Sequence, residues 1–268
     1  ISTLEKEITF RFLKARKKDG FLNVISIFSF IGISLGVAVL IIVMSVMNGF
    51  KTDLTNKILG LNPHIVIQPN NSKIDDRFVE KIKNLDENLK ISKTYSGEGI
   101  VVSNDNAKGI IIKGIDLNNQ TGVEFLKKNI SKGNLSDFKK NTAFIGVELA
   151  YNLNLNVGDK INLMSSAFVA TPFGAVPKQE TYILTGIFNT GFFEFDKNFV
   201  FLNISDSLSI FDKNEKDQNI EVYLNNPLKA DFVKNKIQKI DQNLFVYSWA
   251  DLNKSFFSAL KVERNVMF

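Results

Sequence analysis

The sequence predicts an α+β protein: one transmembrane helix, then an exported α/β layer domain of two βαβ units, into which a mainly-β subdomain is inserted. Three observations predict it. One uncharged apolar run is long enough to cross a bilayer. A strand–helix–strand pattern occurs twice, far apart in the chain. Between the two copies lie short β-branched runs bounded by Gly, Asn and Asp.

The apolar run is Val24 to Met47, VISIFSFIGISLGVAVLIIVMSVM, with four serines as its polar interruptions. At about 1.5 Å per helical residue it reaches roughly 36 Å, against a hydrocarbon core of about 30 Å. A secretory signal would have a shorter apolar region ending at a small-residue cleavage site, whereas this run continues into Asn48-Gly49-Phe50. The chain's formal charge of +5 is concentrated before the span: residues 1–20 carry +3 and the rest +2. By the positive-inside tendency residues 1–22 are a basic cytoplasmic segment, 23–48 the span, and everything after it is exported. Gly32 and Gly36 form a G-x-x-x-G, the spacing that lets a neighbouring helix approach closely.

The first βαβ unit reads as a strand at His64–Gln68, a helix over Asp75–Leu85 with Phe78, Val79, Ile82 and Leu85 on one face, and a strand at Lys90–Tyr95. The second is a strand at Asn219–Leu224, a helix from Pro227 to Ile240 and a strand at Leu244–Tyr247. Residues 49–95 and 203–250 therefore form the α/β subdomain, and 96–202 the insertion. The insertion's strands are expected at Gly99–Val102, Gly109–Ile115, Thr142–Ile145, Lys160–Met164, Glu180–Phe188 and Phe199–Leu202, with a short helix at Val147–Leu153. Between two of these strands the connection 165–179 carries an apolar, hairpin-like stretch with Pro172 and Pro177. It reads either as a loop folded back on its own sheet or as an exposed tip for a partner's groove. Residues 251–268 suggest a helix leading toward a second span.

Several chemistries are excluded. With no Cys and a single His there is no thiolate nucleophile, no Cys-ligated zinc and no His-based triad, so no catalytic or metal-ligating residue is assigned. No G-x-x-x-x-G-K-[ST] occurs, so the chain does not hydrolyse ATP itself. His64 reads as structural, and Asp75-Asp76 as helix-start charges rather than an acid/base pair. The lysine pairs Lys127-Lys128 and Lys139-Lys140 read as solvated surface, and no aromatic-interleaved basic stripe points to nucleic acid.

Lys18-Asp19-Gly20-Phe21, the run Phe28-Ser29-Phe30-Ile31-Gly32-Ile33-Ser34-Leu35-Gly36-Val37, and Val43-Met44-Ser45-Val46-Met47-Asn48-Gly49-Phe50 together resemble the first span of the lipoprotein-releasing ABC transporter permeases of Gram-negative bacteria. Ile58-Leu59-Gly60-Leu61-Asn62, Thr171-Pro172-Phe173-Gly174 with Pro177 and Gln179, and Ala259 to Phe268 extend the similarity over essentially the whole chain. The resemblance implies a four-span inner-membrane permease, working as a homo- or heterodimer. A cytoplasmic ABC ATPase dimer would bind the ATP and magnesium. The pair would move a triacylated lipoprotein from the membrane to a soluble periplasmic chaperone.

The resemblance also implies roles for residues. Thr171, Pro172, Phe173, Gly174, Val176 and Pro177 would form a hook entering the chaperone's apolar cavity, with Phe173 as its tip. Lys178 and Gln179 would belong to the adjoining contact pad, where Asn162 and Glu180 stand in place of expected bases. Val43, Met47, Phe50 and Met267 would touch lipid. Three acyl chains of roughly 15 methylenes represent about 36 kcal/mol of exposure to water, so transfer must run between apolar surfaces; one buried Phe is worth only about 1.5 to 3 kcal/mol. A related mechanotransmission permease and a single-pass receptor are the alternative readings.

Overall fold

The computed structural model describes residues 3–13, 20–70, 74–85, 89–103, 106–172, 174–254 and 258. It divides into two compact units, Ile1–Ile58 and Leu59–Phe268. Helix α1 covers Thr3–Leu13, and α2 runs from Gly20 to Leu61, well past the expected end of the span. Within α2, Val24–Phe50 has a mean hydropathy of 2.8 and is long and apolar enough to cross a membrane. No charged side chain interrupts that stretch, so a single helix satisfies its backbone groups internally, as a bilayer demands.

The second unit opens with β1 (Ile65–Gln68), α3 (Asp76–Lys83) and β2 (Lys90–Ser103). Near its end come β9 (Asn219–Tyr223), α8 (Ala230–Ile240), β10 (Phe245–Ser248) and α9 (Trp249–Leu252). Their strand order, β10-β1-β9-β2, interlocks the two βαβ units: β9 lies between β1 and β2, and β1 between β9 and β10. Each unit is thus split by a strand of the other, and every adjacent pair here is antiparallel. The expected helical faces form the core, with Phe78, Ile82, Val233 and Ile237 packed on Ile65, Ile67, Ile220 and Val222. Asp75 caps α3, its carboxylate accepting from the Phe78 N–H at 2.8 Å. The helix expected from Pro227 begins as a 3-10 turn over Pro227–Lys229, and only then becomes α8.

His64 ties this layer to the incoming chain. Its Nδ1 accepts from the Leu224 N–H at 2.8 Å, which leaves the proton on Nε2 to donate to the Leu59 carbonyl at 3.1 Å. Burial holds its pKa below the ordinary 6.5 against the two backbone bonds, so it serves as a neutral ring.

The middle of the chain supplies β3 (Asn106–Ile115), α4 (Gln120–Asn129), β4 (Ile130–Gly133), β5 (Thr142–Gly146) and α5 (Val147–Asn152). It continues with β6 (Lys160–Thr171), β7 (Gly174–Phe188), α6 (Phe193–Asn198), β8 (Phe199–Asn203) and α7 (Ile204–Ile210). Pairing runs β2-β3-β8-β5-β7-β6 and returns from β6 to β2, so these strands close into a barrel. Its interior holds Val101, Ile112, Ile145, Ile161, Leu163, Tyr182, Leu184 and Val200, with Leu149 of α5 and with Ile210 and Phe211 at the end of α7. A second, phenylalanine-rich cluster joins Leu126 of α4 and Phe195 of α6 to Phe144, Phe188 and Phe201 of the strands.

One sequence-derived boundary moves. At the expected start of the insertion, Ser96, β2 runs on without a break: residues 90–94 pair with β9 in the α/β layer and residues 99–102 with β6 in the barrel. The insertion does not end at Leu202. Residues 204–211 belong to the barrel, since Ile210 and Phe211 are buried in its core. The two cores meet across β2, where Lys113 Nζ of β3 lies 2.7 Å from Glu221 Oε1 of β9, both side chains largely buried. Glu221 also accepts from the Tyr223 hydroxyl at 2.8 Å, and burial first, then the Glu221 charge, pushes that phenol well above its ordinary pKa. Removing one member of such a buried pair strands the other charge, which typically costs about 3 to 5 kcal/mol.

Candidate functional site

The β6/β7 hairpin outruns the barrel. Up to Ser165, β6 is held by β2 on one side and β7 on the other; beyond it, among the described residues, β6 pairs with β7 alone. The result is a two-stranded ribbon with pairs Phe168–Pro177, Val169–Val176, Ala170–Ala175 and Thr171–Gly174. A two-stranded ribbon has no layer to bury either face, and here Phe168 is 64% exposed, with Val169 and Val176 near half. The stretch expected as a loop, 165–179, is therefore mostly strand. At the tip the Thr171 hydroxyl donates to the Gly174 carbonyl at 2.6 Å. Gly174 has φ +122°, a conformation that disfavours any residue with a Cβ. Phe173 lies outside the described residues.

Strand alternation sorts the rest of the site. Opposite residues in antiparallel strands share a face, so Phe168, Pro177, Ala170 and Ala175 continue the face that carries Met164, Gln179, Asn162 and Thr181 lower down. That face is the outside of the barrel: its inner counterparts Ile161, Leu163, Tyr182 and Leu184 are fully buried. Ile100 of β2, opposite Met164, and Ile183 of β7 extend it as exposed apolar side chains. Thr181 donates to Asn162 at 2.7 Å within it. Ribbon and barrel wall thus present one continuous surface, largely apolar with a few uncharged polar groups, and with the exposed Lys160 and Glu98 on the barrel wall.

The two residues expected as the pad part company. Gln179 is exposed on the outer face, whereas Lys178 points to the other side, where its ammonium donates to the Ser209 carbonyl at 2.6 Å and lies 3.6 Å from Glu180. Glu180 faces the same way, accepting from the Ser209 hydroxyl at 3.1 Å and from the Tyr182 phenol at 2.7 Å. Burial first, then this bond, raises the Tyr182 pKa strongly. The acidic residue in the expected basic pad is thereby internally paired and off the outer face. Phe168 and Val169 carry exposed apolar surface that the sequence reading did not single out. The signal was present in the near-mirror arrangement of Phe-Val-Ala-Thr and Gly-Ala-Val-Pro about Pro172-Phe173, as in a two-residue hairpin.

In the first unit, Gly32 and Gly36 have nothing within 4 Å of an added Cβ, leaving this small-residue face open. Val43 and Phe50 are exposed and Met47 is half-buried, while Met267 lies outside the described residues. Among the described residues no group of three or more His, Asp or Glu side chains could hold a metal ion.

Residues 26–240, which include the barrel, its ribbon and most of the α/β layer, match the family described as MacB-like periplasmic core domain. The chain belongs to that family. The lipoprotein-releasing system transmembrane protein LolC of Neisseria meningitidis serogroup B is 27% identical to this chain over 275 residues, covering 99% of this chain and 66% of that protein. LolC of Buchnera aphidicola subsp. Acyrthosiphon pisum is 33% identical over 267 residues, covering 97% of this chain and 65% of that one. The crystal structure of the periplasmic region of MacB from Actinobacillus actinomycetemcomitans aligns with a TM-score of 0.45 at 12% identity, covering 74% of this chain and 95% of that one. This MacB-like chain spans just under two thirds of the length of the curated relatives named here.

Proposed function

We propose that this chain is part of a permease subunit of an ABC transporter that extracts lipoproteins from the bacterial inner membrane and hands them to a soluble periplasmic chaperone. The observation that carries the reading is the ribbon: an apolar hairpin exposed on both faces and continuous with an open barrel wall. Such a surface is costly to leave in water and suits insertion into an apolar cavity. The names of the relatives matched along nearly all of this chain and the apolar helix at Val24–Phe50 support the same assignment.

In this reading the N-terminus is cytoplasmic and the barrel periplasmic. The chain itself catalyses nothing. ATP and magnesium are bound by a separate cytoplasmic ATPase dimer, and a second permease subunit completes the membrane part. Val43, Met47, Phe50 and Met267 face lipid or the lipoprotein's acyl chains, and Gly32 and Gly36 serve helix packing. Phe168 joins Thr171, Pro172, Phe173, Gly174, Val176 and Pro177 as the hook, and Gln179 serves the pad. Burial of one Phe side chain supplies about 1.5 to 3 kcal/mol, enough to help recruit a carrier and far too little to draw three acyl chains out of a bilayer. Release is therefore driven by ATP-linked closure of the permease pair.

The test is photo-crosslinking in whole cells from an unnatural residue at position 168. Adducts with the lipoprotein chaperone are expected; crosslinks confined to this chain's own barrel would reject the assignment.

A further inference from the structure

At the base of the ribbon the ladder between β6 and β7 breaks. Met164 pairs with Gln179 and Phe168 with Pro177, so three residues on β6 oppose the single Lys178 on β7. A bulge of this kind bends a strand and, left alone, would let the ribbon swing. Two side chains hold its base. From β6, the Ser165 hydroxyl donates to the Ile210 carbonyl at 2.6 Å and accepts from the Ala167 N–H at 3.1 Å. From β7, the Lys178 ammonium donates to the Ser209 carbonyl at 2.6 Å. Both acceptors belong to the last turn of α7, where helix carbonyls carry partial negative charge and favour a cation.

Helix α7 is itself held by hydrogen bonds and close packing. Asp206 of α7 accepts from the Asn141 N–H at 2.6 Å, and Ser207 donates to the Tyr95 carbonyl at 3.0 Å. A Cβ at Gly97 would sit 2.6 Å from the Phe211 ring, and one at Gly114 2.6 Å from the Ser207 Cβ, so α7 approaches as closely as these glycines allow.

We propose that Lys178 is a positioning residue which, together with Ser165, clamps the ribbon to the C-terminal end of α7 and sets the direction in which its apolar faces are presented. The proposal rests on the ribbon being the docking element and adds how that element is held. A lysine serving the partner directly would point to the outer face with Gln179; this one points to the helix. If the unclamped ribbon occupies its docking direction about 10 to 30% of the time, capture weakens about three- to tenfold, mostly through the on-rate.

The chain has no cysteine, so paired spin labels can be placed cleanly in the full chain at Ala175→Cys and Lys139→Cys. The distance distribution is expected to be narrow, to broaden in Lys178→Met and Ser165→Ala, and to narrow again in Lys178→Arg. The on-rate for purified lipoprotein chaperone should fall about three- to tenfold in Lys178→Met and recover in Lys178→Arg. An unchanged width in Lys178→Met overturns the clamp, whatever Ser165→Ala shows. Broadening with undiminished capture upholds the clamp and overturns the docking reading instead.

Discussion

The β6/β7 hairpin contains two regions built from the same two strands. In the lower half, Ile161, Leu163, Tyr182 and Leu184 are fully buried on one face, and Lys160, Asn162, Gln179 and Thr181 alternate with them on the other, together with Met164 and Ile183. In the upper half the alternation stops: Phe168 and Val169, consecutive in sequence and on opposite faces, are both exposed. The lower half obeys the rule for a sheet with one wet face. The upper half violates it on both faces, next to a tip whose backbone requires a glycine, Gly174. Departures from folding logic that the fold does not require are expected at places kept for a partner.

Substitutions should separate the halves. The largest effect is expected in the lower one: Leu184→Ala, at a fully buried position in the barrel, should lower unfolding stability by about 2 to 5 kcal/mol, read by chemical denaturation of the full chain. A loss under 1 kcal/mol would mean that the barrel core is not the stabilising region.

A smaller effect should come from acid, and only outside the ribbon, because residues 165–177 contain no titratable side chain. His64 has a lowered folded pKa because burial disfavours its charged form. Below pH 6.5 the unfolded chain therefore binds a proton that the folded chain refuses. Stability should fall as pH drops through 6.5 toward the folded value and then level off. Asp206, raised mainly by burial, acts in the opposite sense. The readout is accordingly the difference between the parent chain and His64→Gln, whose pH slope near 6 should be flatter. Equal slopes would remove His64 from the account.

The smallest effect on stability should come from the upper half. Val176→Ser should move the unfolding free energy by no more than about 0.5 kcal/mol, as for an ordinary surface site, while weakening chaperone capture. A loss comparable to Leu184→Ala would show the ribbon to be part of the core.

Much of the fold was legible because it is periodic. The apolar run at Val24–Met47, the strand before Gln68, and the faces of α3 and α8 each follow one clear spacing, and the structure places elements there. Continuity of β2 was hidden because Ser96-Gly97-Glu98 looks like a break. Gly97 is needed there for the close approach of Phe211, a tertiary reason that no local pattern carries. Helix α7, sequence ISDSLSI, was missed because polar residues alternate with its apolar ones, and its Ser207 and Asp206 are buried for their hydrogen bonds to Tyr95 and Asn141. The apolar hook region was visible as composition. Its strand character was not, since a ribbon exposed on both faces has no inside and outside to produce a period of two. The opposite pointing of Lys178 and Gln179 follows from simple alternation once that stretch is known to be strand.

The most direct test of the central claim is the affinity of the full chain for its lipoprotein chaperone, measured in parallel with unfolding stability, for the parent and for Phe168→Asp. At least about a tenfold loss of affinity is expected, corresponding to 1.4 kcal/mol or more, with stability unchanged within about 0.5 kcal/mol. Undiminished affinity, or a loss of affinity that merely follows a collapse in stability, would contradict it.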